Sequence, residues 1–151
     1  MKTVSKEPLF IQEDKEITVL IVDDSKLSRD LIKLHLEGIH LNVLEAENGQ
    51  QALEIIKSGD HTISLVITDY QMPVMDGLEM TRKIREAEAR TDCPKTTIIA
   101  TTAGALKEEA DRGYDAGMAD YPTKPIQTQE LKEVMQKWVG DQSLTKGPGS
   151  T

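Results

Sequence analysis

Sulfur and aromatic side chains are scarce in this chain. One cysteine, Cys93, occurs among 151 residues, so no internal disulfide can form and the composition fits a reducing compartment. Aromatic residues make up only 3% of the chain, which leaves the core to aliphatic side chains. No stretch approaches the roughly 18 consecutive apolar residues that span a bilayer. Residues 1–16 are charged and carry no apolar segment of the kind a secretory signal requires. A basic surface is lacking too: 18 Lys and Arg stand against 26 Asp and Glu, a net charge of −8. That balance argues against non-specific binding to nucleic acid. Neither G-x-G-x-x-G nor G-x-x-x-x-G-K-[ST] occurs, which removes the common nucleotide-binding loops. His35, His40 and His61 form no zinc-spaced cluster with the cysteine. The expectation is a cytoplasmic protein with no membrane contact through this domain and no nucleic-acid partner.

What the chain does have is a regular alternation of apolar runs and helical patterns between residues 17 and 140. Residues 1–16 read as a flexible N-terminal lead and 141–151 as a flexible tail of linker composition. The runs at 17–23, 42–46, 64–69 and 96–102, with a very short one at 118–121, read as strands. Helical spacing follows each of them: 25–37, with Leu27, Leu31 and Leu34 on one face; 50–58; the stretch from Gly77 to Arg90, with Met80, Ile84 and Ala87 inward; a polar 105–115; and 127–139, with Leu131, Val134, Met135 and Trp138 inward. Such alternation implies an α/β fold, a parallel sheet with helices on both faces. Right-handed crossovers and one switch point give a five-stranded sheet of order 2-1-3-4-5. Pro122 offers no N–H to a ladder, so the fifth strand should be an edge or end early.

The chemistry-bearing residues stand where these strands end. Asp23 and Asp24 close the first, Asp69 the third, Thr101 and Thr102 the fourth, and Lys124 lies just beyond the fifth. In an open α/β sheet the carboxyl ends of the strands share the ligand-binding edge. Carboxylates crowded there repel one another, and a hard divalent cation relieves that; magnesium needs only one or two carboxylates plus a phosphate. An ionised carboxylate can also attack a phosphoryl donor without a base. A lysine point charge and a threonine hydroxyl would then neutralise the equatorial oxygens, with backbone N–H groups near the helix starting at Gly77 as further donors. Each residue has an ordinary alternative: Asp-Asp as a helix cap, Thr-Thr as strand propensity, Lys-Pro as a surface turn. Their joint occurrence at successive strand ends favours a magnesium-dependent aspartyl phosphorylation site.

The segments Val19–Ser25, Val66–Gly77, Ile98–Ala103 and Ala116–Pro125 resemble the receiver domain of two-component response regulators, and the likeness extends over about residues 17–139. The resemblance implies a flavodoxin-like (βα)5 fold. It implies that Asp69 is the phosphoacceptor, charged from the phosphohistidine of a histidine kinase or histidine phosphotransfer protein. It implies Mg2+ held by Asp24, Asp69 and the Gln71 backbone carbonyl, with Asp23 acting through water. Thr102, Ala103 and Lys124 would contact the phosphoryl group, and Tyr121 would be the aromatic switch that couples it to the surface of the fourth helix, fifth strand and fifth helix, where an effector could bind. Such a domain catalyses only its own phosphorylation and slow dephosphorylation. The stretch Arg85–Pro94 and the Gly117-Met118 pair look more like receivers of hybrid histidine kinases. Two other functions fit the same sheet less well. An aspartate-based phosphatase would carry a second aspartate two residues after the nucleophile, where this chain has Gln71. A phosphorylation-independent interaction module would have lost an acidic or lysine position, and this chain has lost none.

Overall fold

The structure, a computed structural model, describes residues 17–59, 62–91, 95–102, 107–122 and 126–138, with no account of the Trp138 side chain. The expected lead and tail therefore lie outside the described residues. The element order is β1 (Ile17–Val22), α1 (Lys26–His35), β2 (Leu41–Ala46), α2 (Gly49–Ser58), β3 (Leu65–Asp69), α3 (Gly77–Arg90), β4 (Thr97–Thr101), α4 (Lys107–Ala116) and α5 (Thr128–Trp138).

The sheet is parallel, in the order β2-β1-β3-β4. Alternate side chains of the central strands enter two separate cores. Leu20, Val22, Val66, Ile98 and Ala100 pack with Met80 and Ile84 of α3 and Leu53 of α2. Val19, Ile21, Leu65, Ile67 and Ile99 pack with Ile32 of α1 and Leu131, Val134 and Met135 of α5. This two-sided cover is why β1 and β3 read as unbroken apolar runs. Burying each such aliphatic side chain is worth about 2 kcal/mol.

The fifth strand is reduced to one parallel bridge between Ile99 and Asp120. Backbone bonds still lay 119–122 along β4: Ala119 N–H donates to Ile98, Ala100 to Asp120 and Thr102 to Pro122. The Tyr121 N–H, however, turns to the Asp120 side chain at 2.9 Å, and Pro122 has no N–H. Two consecutive donors are thus lost to the ladder, so the segment ends early, as expected of it.

Helix α1 carries its three leucines on one face, as their spacing implies. Its leucine stripe faces outward: Leu27 is 69%, Leu31 45% and Leu34 55% exposed. The buried positions are Arg29 and Ile32, followed by the cap residue Leu36. A charged residue occupies the inner face because its partners lie elsewhere in the chain.

Candidate functional site

The acidic residues converge. Because β1 and β3 are neighbours in register, Val22 beside Thr68, the residues that leave their ends emerge together. Ligand oxygens of Asp23, Asp24 and Asp69 all lie within 4.8 Å of one another, the one such grouping among the described residues. The donors are all oxygen, the chemistry of a hard divalent ion such as magnesium and not of zinc.

Local structure presents each carboxylate. The N-cap of α1 is Ser25, whose hydroxyl accepts from the Ser28 N–H. Asp24 is therefore not consumed as a cap and stands exposed. Asp23 is 1% exposed and accepts from the Ser25 N–H at 2.9 Å. Its backbone carbonyl is held at 2.7 Å by Nη1 of Arg29, which also reaches Glu45 of β2 through Nε at 2.8 Å. Lys33 closes on the other Glu45 oxygen at 2.7 Å. Lys33 first and Arg29 second hold the Glu45 carboxyl below its ordinary value.

Asp69 ends β3, half-buried, beside Thr101. The Gln71 N–H approaches its Oδ1 at 3.4 Å. The chain then folds back sharply: the Gly77 N–H donates to the Tyr70 carbonyl, and a Cβ at Gly77 would sit 2.6 Å from the Asp69 carbonyl. Only glycine lets α3 begin this close to the acidic cluster. Asp76 caps α3 through the Glu79 N–H. The N–H groups of Gly77 and Glu79 are thus already engaged.

Thr102 follows β4, is 5% exposed, and donates from Oγ1 to Oε1 of Glu109 at 3.3 Å. Tyr121 is half-buried; its hydroxyl donates to the Glu109 backbone carbonyl. Its ring stands edge-on to Tyr70, centroids 5.9 Å apart, and tilted against Tyr114 at 5.5 Å. Burial first, and the neighbouring Tyr70 second, push the Tyr121 phenol above its ordinary range. Lys124 and Ala103 lie outside the described residues.

His35 sits nearer the cluster than its sequence position suggests. Its ring bonds the Thr128 hydroxyl, and it shares a cavity of about 110 Å³ with Asp23, Ser28, Leu31, Ile32, Thr101 and Ile126. Sequence reasoning also passed over Arg29, Glu109 and Gly113. For Gly113 a signal existed: glycine inside a helix costs about 1 kcal/mol, so its presence points to a close approach. Here a Cβ would meet the Tyr121 hydroxyl oxygen at 2.3 Å.

Comparison with known proteins agrees with this geometry. A family model described as the response regulator receiver domain matches residues 19–136. Hybrid signal transduction histidine kinase L of Dictyostelium discoideum is 38% identical over 121 residues, 80% of this chain but 7% of that protein. A chemotaxis protein CheY homolog of Campylobacter jejuni is 37% identical over 123 residues, 81% of this chain and 92% of the relative. The chain thus spans a small fraction of some relatives and nearly all of others. Among solved structures, the Saccharomyces cerevisiae complex of the histidine phosphotransfer protein Ypd1 with the receiver domain of Ssk1 matches with a TM-score of 0.78 and 28% identity, covering 87% of this chain and 94% of the other. The receiver domain of sensor histidine kinase PA1611 from Pseudomonas aeruginosa, with magnesium in its active site cleft, matches with a TM-score of 0.70 and 29% identity over 82% of this chain and 98% of that one. With a flavodoxin-like parallel sheet and this match over most of its length, the chain belongs to the response regulator receiver domain family of two-component signal transduction.

Proposed function

We propose that this domain accepts a phosphoryl group on Asp69 from the phosphohistidine of a histidine kinase or histidine phosphotransfer protein. The observation that carries the reading is the meeting of Asp23, Asp24 and Asp69 within 4.8 Å at the strand ends. A carboxylate oxygen of Asp69 attacks phosphorus, the N–P bond breaks, and the leaving imidazole keeps the electron pair. Mg2+ would be held by Asp24, Asp69 and the Gln71 carbonyl, with Asp23 through water; when bound it neutralises charge between the carboxylates and the phosphoryl oxygens. Thr102 would donate to one phosphoryl oxygen, and Ala103 and Lys124 would contact others. Slow hydrolysis of the acyl phosphate would be the domain's only turnover. The readout would run through Tyr121 to the surface built by α4, residues 118–122 and α5. The domain would act in the cytoplasm; no helix among the described residues is long and apolar enough to cross a membrane.

The donor's seat follows from α1. Leu27, Leu31 and Leu34 form an exposed apolar row on the helix that begins just after the acidic pair, and Leu31 shares a cavity with Asp23. A donor helix resting on that row would have its histidine beside the pocket. The test of the main reading is intact-mass measurement after incubation with phosphoramidate and magnesium chloride. The expected result is a gain of one phosphoryl group that disappears in Asp69→Asn and on metal chelation. A gain that survives Asp69→Asn, or no gain at all, defeats it.

A further inference from the structure

Resting on the reading that Asp69 is phosphorylated and Thr102 turns to the phosphoryl group, we infer that Glu109 is a positioning residue that holds Thr102 and Tyr121 in their resting places and ties the movement of one to the other. Two independent bonds meet on it. The Thr102 hydroxyl donates to its carboxylate at 3.3 Å, and the Tyr121 hydroxyl donates to its backbone carbonyl. Both donors come from the sheet edge, and both acceptors belong to one residue in the first turn of α4.

The Thr102 hydroxyl carries one proton. Donating it to a phosphoryl oxygen ends its donation to Glu109, so the two arrangements exclude each other. The half-buried Glu109 carboxylate then loses its donor while a new charge of about −1.5 to −2 arrives at the strand edge. Loss of the bond and like-charge repulsion push Glu109 in the same direction. Arg112, one turn further on, is raised chiefly by its hydrogen bond to Tyr70 and only in lesser part by the Glu109 charge. Displacing Glu109 carries its carbonyl away from the Tyr121 hydroxyl. That hydroxyl rests against Gly113, where the missing side chain leaves room for it, and the ring packs between Tyr70 and Tyr114, so its bond to the Glu109 carbonyl is the contact that answers to a shift of α4. Glu109 is therefore the shared anchor through which α4 senses Thr102.

The experiment compares Glu109→Ala with Glu109→Gln in the full chain. Alanine removes the acceptor and favours the helix, so folding is not endangered; glutamine keeps an accepting Oε1 without the charge. The readouts are the Thr102 methyl and Tyr121 ring NMR resonances without phosphodonor, and the rate of adduct formation with phosphoramidate and magnesium. In Glu109→Ala both resonances should move together toward the positions seen in the phosphorylated wild type. The adduct should form roughly fivefold faster, the ratio of one net hydrogen bond. Glu109→Gln should keep the Thr102 methyl at its wild-type position. The inference is overturned if Glu109→Ala leaves the resonances in place, if they move independently, or if Glu109→Gln behaves like alanine. Absence of any adduct in the wild type would sink the phosphoacceptor reading. The joint movement of the two resonances in unphosphorylated Glu109→Ala would still decide whether Glu109 anchors both residues.

Discussion

Arg29 grips the backbone carbonyl of Asp23 at 2.7 Å from a position only 8% exposed. One guanidinium thereby joins three parts of the site: the end of β1, the helix that follows it, and Glu45 on β2. The planar fork makes this possible, because Nε and Nη1 point to different acceptors. Arg29→Ala should therefore leave a buried carbonyl without this donor and cost about 1–3 kcal/mol. Arg29→Lys should recover little of it, since one ammonium cannot reproduce the fork. Urea denaturation checks the stability, and magnesium titration followed by Asp24 and Asp69 chemical shifts checks that the pocket loosens in step. Unchanged stability in Arg29→Ala would show the clamp to be idle.

The same network sets a pH dependence. Lys33 first and Arg29 second hold the Glu45 carboxyl below its ordinary 4.5. A depressed folded-state value stabilises the fold above the unfolded value, and the contribution is lost as pH falls from 4.5 through the depressed one. Lys33, raised above 10.5 chiefly by Glu45, contributes below that value and loses its share as pH rises through the raised one. Glu45→Gln should flatten both limbs while leaving the neutral region nearly parallel to wild type. Denaturation midpoints measured across pH, at low and high salt, test this; the half-exposed pair should weaken with salt. A Glu45→Gln profile that superimposes on wild type below pH 4.5 would contradict it.

A third expectation concerns a contact between α4 and residues 118–122. Gly113→Ala places a methyl 2.3 Å from the Tyr121 hydroxyl oxygen and 2.9 Å from the Met118 sulfur. The helix favours alanine by about 1 kcal/mol, but overpacking costs about 1–3 kcal/mol, so net destabilisation is expected. The sign should reverse in a Tyr121→Ala background, where the obstructing ring is gone. Thermal unfolding of the four proteins of this cycle measures the coupling. Additive effects would mean that the ring does not rest on Gly113.

How far the sequence carried depended on the range of each interaction. Asp23, Asp24 and Asp69 were legible because an apolar run ending in a carboxylate is a local pattern, and a parallel sheet brings such ends together. The inner faces of α3 and α5 were legible for the same reason: Met80, Ile84, Leu131 and Met135 are buried as their spacing implies. Which way the leucine face of α1 turns was not legible, because apolar spacing cannot reveal that a buried arginine has partners 6 and 16 residues away. The fifth strand was reduced by two neighbouring effects, of which only Pro122 is visible without coordinates; the Asp120 side chain taking the Tyr121 N–H is not.

The outward leucines of α1 give the prediction that separates chemistry from docking. Leu27, Leu31 and Leu34 are 69%, 45% and 55% exposed, so replacing them removes little from the core. Glutamine has nearly the helix propensity of leucine, and exposed substitutions of this kind usually shift stability by about 0.5 kcal/mol or less. The triple Leu→Gln variant should therefore take up phosphate from phosphoramidate at the wild-type rate. Transfer from a phosphorylated histidine phosphotransfer protein should slow by roughly tenfold or more, because an apolar contact worth about 1.4 kcal/mol is tenfold in affinity. Stopped-flow loss of phosphohistidine, measured beside the small-donor rate, reads the two separately. Equal rates with the protein donor would place its seat elsewhere on the domain. A parallel fall with both donors would mean that the substitutions had disturbed the acidic pocket itself.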